Sequence, residues 1–130
     1  METENFSVIN KTKSRSGLAR TAFLNMKNAV LGKNYVLSLA FVGNTTSKKL
    51  NRQYRKKNTP TNILSFSLQK YEGEIIMDLA KIKKETKFFD RSFGNLVAFL
   101  FIHGLFHLKG LRHGSTMERK EALVRKKFKI

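Results

Sequence analysis

The stretch Gly94-Asn-Leu-Val-Ala-Phe-Leu-Phe-Ile-His-Gly-Leu-Phe-His-Leu-Lys109 predicts a long apolar helix. Its apolar part, residues 96–108, is about 13 residues long and contains two histidines, whereas a membrane span needs about 20 apolar residues. The segment is therefore too short and too polar to cross a bilayer. We expect it to form a buried helix of a globular protein.

Hydrophobic periodicity and turn residues predict the elements around this helix. Strands are expected at residues 6–9, 35–42, 62–68 and 74–77. Further helices are expected at residues 17–31, 79–87 and 116–127, and one short basic helix is expected to end near residue 55. Helix boundaries are expected from Ser16 (cap) and Gly32 (end), from Thr45, Thr46 or Ser47 (cap of the helix that runs to Arg55), and from Ser115 (cap of the last helix).

The two strands after Pro60 are expected to form an antiparallel pair. Pro60 favours an extended conformation at Thr59, so the chain is already stretched when it enters the strand at 62–68. Tyr71-Glu72-Gly73 is typical of a hairpin loop to the next strand. The resulting order, β-α-β-α-β-β-α-α-α, predicts an α+β fold, a small mixed sheet of about four strands packed with five helices.

Length and composition limit both the architecture and the chemistry. The chain has 130 residues, 41% of them hydrophobic, so we expect a single domain over residues 1–130. The absence of cysteine excludes disulfides, thiolate zinc sites, iron–sulfur clusters and cysteine nucleophiles. Any metal must therefore be held by histidines and carboxylates.

The charge of the chain points to a polyanionic partner. The 26 Lys and Arg residues against 9 Asp and Glu give a formal net charge of +17, which favours binding to RNA or DNA. A base-biased genome is an alternative source of part of this excess. An anionic membrane is a weaker candidate, because no helix has suitable basic and aromatic faces.

The start of the chain carries no recognisable secretory signal. Residues 1–9 include Glu2 and Glu4 and lack a basic region followed by an apolar one. We therefore expect a cytoplasmic protein with no membrane attachment.

All three histidines lie within eleven residues, His103 to His113. His103 and His107 are four residues apart on the predicted helix, so both imidazoles can converge on one ion. Gly110 can end the helix in a left-handed conformation and return His113 towards the pair. Three neutral histidines with an open position are typical of a catalytic zinc ion, although a single histidine on an apolar helix is more often a hydrogen-bonded core residue.

A zinc peptidase is disfavoured by the residue after His103. The H-E-x-x-H motif places its general base there, whereas this chain has Gly104. A peptidase would have to find that base elsewhere, and a charge of +17 suits polyanions better than peptides.

Three blocks of sequence resemble those of the YbeY family of bacterial rRNA maturation factors. The family's H-G-x-L-H-L-x-G-Y-D-H is similar to the stretch from His103 to His113, and its L-N-x-x-Y-R-x-x-x-x-P-T-D/N-V-L-S-F to the stretch from Leu50 to Phe66. Its G-D-I-x-I is similar to Gly73-Glu-Ile-Ile-Met77. The blocks occur in the same order and with similar spacing, so the resemblance covers most of the chain.

This resemblance implies a metal-dependent endoribonuclease that acts on single-stranded RNA. It implies a role in maturing the 3′ end of small-subunit (16S) rRNA and in ribosome quality control, with ribosome-associated proteins as further partners. The family's three zinc-binding histidines correspond to His103, His107 and His113, which hold one ion, and its functional arginine corresponds to Arg55. No small-molecule cofactor is implied.

Further basic residues are candidates for contacts with substrate phosphates. An arginine fork can neutralise phosphate oxygens, the role expected for Arg55 in catalysis. Arg52, Lys56 and Arg112 are candidates for substrate binding. A solvated charge on a basic helix is the favoured interpretation of Arg52, Lys56 and Lys57, and it is also the alternative for Arg55.

The chain departs from the family pattern just before the third histidine. Leu111-Arg112 stands where the family has Tyr-Asp, so an acid that can orient a ligating imidazole is replaced by a cation. Arg112 either weakens zinc binding or binds a substrate phosphate. The remaining candidates for an orienting acid or a general base are Glu74, Asp78, Glu118 and Glu121.

Two functions are favoured over a zinc peptidase or another metallohydrolase. The first is a zinc-dependent endoribonuclease. The second is a basic RNA-binding or ribosome-binding factor that retains the histidine site without turnover, and the presence of Arg112 is the main argument for it.

Overall fold

The computed structural model describes residues 5–130. In these residues the chain forms four strands and six helices. The strands are β1 (Phe6–Asn10), β2 (Val36–Val42), β3 (Ile63–Gln69) and β4 (Glu72–Asp78). The helices are α1 (Arg20–Leu31), α2 (Asn44–Arg55), α3 (Leu79–Lys84), α4 (Thr86–Phe89), α5 (Phe93–Leu108) and α6 (Ser115–Lys127). The predicted α+β class is confirmed.

The strands form one mixed sheet in the order β1-β2-β4-β3. β1 pairs with β2, and β2 with β4, in parallel, whereas β3 and β4 form the predicted antiparallel hairpin. β3 therefore lies at an edge of the sheet.

One face of the sheet carries the main hydrophobic core. Alternate residues of β2 and β4, such as Leu39 and Ile75, are paired in register and point to the same side. They pack against α1 and α5, whose buried side chains include Phe23 and Phe101. These two rings lie edge to face, with centroids 4.9 Å apart. The apolar stretch quoted first is therefore the central helix of the core, as its composition predicts.

The opposite face of the sheet has a smaller core. Val42, Leu64 and Ile76 form it, with Leu50 of α2 packed against them. α2 is otherwise strongly polar, which is why it covers this face with few apolar contacts.

α5 lies very close to the sheet at Gly104. A Cβ atom at this position would lie 2.8 Å from Cδ1 of Ile63 and 2.9 Å from Oγ of Ser65. Only a residue without a side chain fits between the helix and β3 without a shift of these neighbours. The glycine that argues against a peptidase motif thus has a packing role.

Several predicted boundaries are wrong in detail. Ser16 does not cap α1, because its hydroxyl accepts from the N–H of Leu18 within a turn and the helix begins only at Arg20. Ser115 is the first residue of α6 and follows the cap position, Gly114. Local hydrogen bonds of serine hydroxyls compete with capping, and sequence alone does not decide between them.

The same holds for the other predicted caps and turns. Asn44 starts α2, and Ser47 lies inside the helix, where its hydroxyl donates to the buried Asp78 at 2.6 Å. Lys70 and Tyr71 make the β3–β4 turn, while Glu72 and Gly73 already belong to β4. The helix predicted at 79–87 is divided at Glu85 into α3 and α4.

Within residues 5–130, no helix combines the length and the apolar character needed to span a bilayer. The prediction about a secretory signal concerns residues 1–9, and the first four of these, including Glu2 and Glu4, lie outside the described residues.

Candidate metal centre

The end of α5 brings the three histidines together. The N–H of Gly110 donates to the carbonyl of His107, and the N–H of Leu111 donates to the carbonyl of Phe106. This pair of bonds is the Schellman arrangement, and Gly110 adopts the positive φ of +95° that it requires. The chain reverses there, so His113 returns towards the last two turns of the helix, as predicted.

The three imidazoles face a common point. Their ring centroids are 4.5 Å (His103 to His107), 5.0 Å (His103 to His113) and 4.7 Å (His107 to His113) apart. One nitrogen from each ring can be chosen so that all three atoms lie within 4.8 Å of one another. His103 and His107 are partly buried and His113 is exposed, so the cluster lies at the surface end of a cavity.

A buried carboxylate orients the first histidine. Nδ1 of His103 lies 3.0 Å from Oε1 and 3.2 Å from Oε2 of Glu121, a residue of α6. The side chain of Glu121 is only 8% exposed. Because a carboxylate accepts hydrogen bonds and cannot donate them, the proton must be on Nδ1 of His103. The Nε2 atom then carries a lone pair directed into the cluster.

The donor set fits a metal ion. Nε2 of His103 and Nε2 of His107 are 3.0 Å apart. Two nitrogens bound at 2.0–2.1 Å to a tetrahedral ion are separated by about 3.3 Å, so only a small adjustment is needed. Three protein ligands also leave a coordination position for water or substrate. The three histidines can therefore hold a metal ion.

The surroundings keep one ligand neutral. Burial, followed by the electrostatic influence of His103, His113 and Arg55, lowers the pKa of His107 to about 4. At neutral pH this imidazole is uncharged, which is the form that ligates metals.

The cluster opens into a cavity of about 700 Å³. Arg55 lines the cavity together with the histidines. It stands at the end of α2, which covers the opposite face of the sheet, so its guanidinium reaches the site from another layer of the fold. The other lining residues are Asn62, Ile63, Ser65, Ser67, Phe89, Phe99, Leu100 and Leu108. The cavity therefore combines imidazole nitrogens, one arginine and several hydroxyl and amide groups.

The other basic candidates lie outside this cavity. Arg52 and Lys56 are exposed on and after α2, and Arg112 is exposed in the loop before His113. None of the three is among the residues that line the cavity.

Of the four acidic candidates, the structure brings Glu121 to the histidines. Asp78 is buried elsewhere and accepts from Ser47 and from the N–H of Lys81 at the start of α3. Glu74 pairs with Phe66 on the face of the sheet covered by α2, and Glu118 is exposed.

The spacing along α6 contains the signal that separates Glu121 from Glu118. Met117, Glu121 and Val124 follow the i, i+4, i+7 pattern of a face turned to the core, and Met117 and Glu121 are buried. Glu118 is one position away from this stripe. An acidic residue on the apolar face of an amphipathic helix thus indicates, from sequence alone, a carboxylate that interacts with another side chain in the interior. The cavity residues Ser65, Ser67, Phe89 and Phe99 were not identified from sequence.

The comparison with known families decides the classification. A family model described as endoribonuclease YbeY matches residues 2–130. The chain belongs to this family. The assignment made from the three sequence blocks is confirmed, and the predicted nuclease class is that of the family.

Individual relatives agree with this family. The endoribonuclease YbeY of Mycoplasmopsis synoviae is 37% identical over 101 residues, 70% of this chain and 65% of that protein. That of Carboxydothermus hydrogenoformans is also 37% identical, over 74% of this chain and 69% of that protein. That of Bacillus thuringiensis is 27% identical over 129 residues, 81% and 83% of the two chains. The match covers just under two thirds of the first relative.

A solved structure shares the fold. The solution structure of TM1509 from Thermotoga maritima matches with a TM-score of 0.62 and 22% identity, over 95% of this chain and 91% of that one. The arrangement of sheet and helices is therefore also found in an experimental structure.

Proposed function

We propose that this protein is a zinc-dependent endoribonuclease that cuts single-stranded RNA. The observation that carries the proposal is the three-histidine cluster, oriented by Glu121 and opening into a cavity that Arg55 also lines. Membership of the endoribonuclease YbeY family supports the same activity.

Zinc is the metal that suits this set of ligands best. Three imidazoles from a chain without cysteine, with a position left open, match catalytic zinc sites. When bound, the ion would supply Lewis acidity and lower the pKa of a water molecule to about 7 for attack on a phosphodiester.

The residues of the chain then have separate roles. His103, His107 and His113 bind the ion, and Glu121 holds the proton on Nδ1 of His103 so that Nε2 remains a donor to the metal. Arg55 binds a non-bridging oxygen of the scissile phosphate and neutralises the charge that develops there.

The proposed substrate is the 3′ end of small-subunit rRNA, processed in the cytoplasm on or near the ribosome. The net charge of +17 supports an RNA partner, and the resemblance to rRNA maturation factors supports this particular RNA. Arg52, Lys56 and Arg112, exposed outside the cavity, would contact phosphates of the flanking strand.

The first test is elemental analysis of the purified, untagged protein and of a His107→Ala variant. About one zinc ion per chain is expected in the unmodified protein and none in the variant. Absence of metal from both after incubation with zinc would refute the proposed metal site.

The second test separates catalysis from binding. His113→Ala should abolish cleavage of a single-stranded RNA and retain binding of the same RNA. If the unmodified protein binds zinc and RNA and cleaves no RNA, the protein is a binding factor, the alternative that the exposed Arg112 beside His113 favours.

A further inference from the structure

Three phenylalanines form a continuous aromatic surface beside the metal centre, here called the aromatic wall and defined as Phe88, Phe89 and Phe99. Phe99 lies one helical turn before His103 on α5, and both Phe89 and Phe99 line the cavity that contains the histidines. The ring centroids are 5.9 Å apart between Phe89 and Phe99, and 5.2 Å apart between Phe88 and Phe89. The wall therefore leads from the cavity to the surface.

The outermost ring of the wall faces solvent. Phe88 is 86% exposed, and helix α4, which carries it, has no buried residue. Packing in the core therefore gives no reason for a phenylalanine at this position. A single exposed apolar residue needs no explanation in general, but this ring continues a surface that begins at the proposed active site.

Cations accompany the aromatic wall. The guanidinium carbon of Arg91 lies 4.1 Å from the ring centroid of Phe99, and that of Arg125 lies 5.0 Å from the same centroid. Burial, and then the neighbouring Arg125, lowers the pKa of Arg91. Two like charges held at one ring repel each other, and an anion bound between them would relieve this repulsion.

The acidic neighbours do not remove this positive charge. Glu121 lies 3.9 Å from Arg125, but its carboxylate also accepts from Nδ1 of His103. Arg91 donates to the neutral amide oxygen of Asn95. A second depression, lined by Phe89, Arg91 and Asn95 together with Asp90 and Ser92, adjoins the wall, so Phe89 borders both hollows.

We propose that the aromatic wall and its two arginines form a nucleotide subsite that selects single-stranded RNA. A base stacks on the exposed ring of Phe88, beside the half-buried Phe89, and the adjoining phosphate binds at Arg91 and Arg125. Bases in a duplex are already stacked and cannot reach these rings, so the subsite discriminates against paired RNA. This inference rests on the proposed endoribonuclease function, for which it supplies the contact that directs the strand into the cavity.

The test is equilibrium binding of two short single-stranded RNAs to the full-length protein. One strand has ordinary bases, and the other has abasic residues in their place; the integrity of both is checked on a gel. Phe88→Ala should weaken binding of the ordinary strand by about fivefold to a hundredfold and leave binding of the abasic strand nearly unchanged. Arg91→Gln should weaken both strands alike, because both contain the phosphates.

A matched control is available at the β3–β4 turn. Tyr71 is also an exposed aromatic residue, at 63%, with the ammonium of Lys70 5.3 Å from its ring centroid, and it does not line the cavity. Tyr71→Ala should bind both strands like the unmodified protein. An equal effect of Phe88→Ala and Tyr71→Ala would overturn the subsite.

Stacking can also be observed directly. A 2-aminopurine base in the strand should lose fluorescence on binding to the unmodified protein and keep it on binding to Phe88→Ala. If Phe88→Ala weakens both strands equally or neither, the subsite is refuted even where the protein cleaves RNA. If the stacking signal is present and the protein does not cleave RNA, the subsite stands and the proposed nuclease activity falls.

Discussion

Glu121 provides the sharpest test of the metal centre, because it acts on the ligand without touching the metal. Its carboxylate is almost completely buried and lies 3.0 and 3.2 Å from Nδ1 of His103. A hydrogen bond to a charged group contributes about 1.5–3 kcal/mol. At about 1.4 kcal/mol per factor of ten, its complete loss should weaken zinc binding by roughly tenfold to a hundredfold.

Two substitutions separate the contribution of the Glu121 charge to zinc affinity from that of its hydrogen bond. Glu121→Gln keeps an oxygen that accepts from Nδ1 and removes the charge, so zinc affinity should fall by about tenfold. Glu121→Ala also frees the His103 ring to rotate and removes the carboxylate that lies 3.9 Å from Arg125 in the unmodified protein. The loss of zinc affinity should therefore approach a hundredfold. The affinities can be measured by competition with a chromophoric zinc chelator.

The control for this series is Glu118→Gln. Glu118 lies on the same helix but is exposed, so its substitution changes the net charge equally without reaching the histidines. Zinc affinity should remain at the unmodified level. The reasoning is refuted if Glu121→Ala binds zinc as tightly as the unmodified protein, or if Glu118→Gln weakens binding to the same extent.

Three further predictions follow from the same structure. In the folded protein the pKa of His107 is about 4, below its ordinary value of 6.5, so the unfolded chain binds more protons than the folded chain between these two pH values. The free energy of unfolding of the metal-free protein should therefore decrease as the pH falls from 6.5 to 4, which urea unfolding at several pH values measures. His107→Gln should reduce this dependence of stability on pH. Arg55→Gln should lower the rate of RNA cleavage by about a hundredfold with zinc content unchanged, whereas Lys48→Gln, which removes an exposed cation of the same helix outside the cavity, should cleave normally. Gly104→Ala should destabilise the protein by about 1–2 kcal/mol in thermal unfolding, because contact with Ile63 outweighs the gain in helix propensity; a stabilised variant would contradict this.

The sequence by itself determined the central helix, the antiparallel hairpin and the grouping of the histidines. These features depend on short-range rules. An apolar run of this length must be buried, His103 and His107 four residues apart must share a helix face, and Gly110 can adopt the positive φ that reverses the chain. Each rule acts within a few residues, so it can be applied without knowing the rest of the fold.

Only the tertiary structure decided which acid meets the histidines and which cation reaches the cavity. Glu121 and His103 are eighteen residues apart on different helices, and Arg55 belongs to a helix on the other face of the sheet. The spacing along α6 indicates that Glu121 faces the interior but not which residue it meets there, and residue type does not separate Arg55 from the exposed Arg52. The physical reason is that the packing of α6 on α5, and the position of β3 at the sheet edge, are set by the whole core rather than by any local pattern.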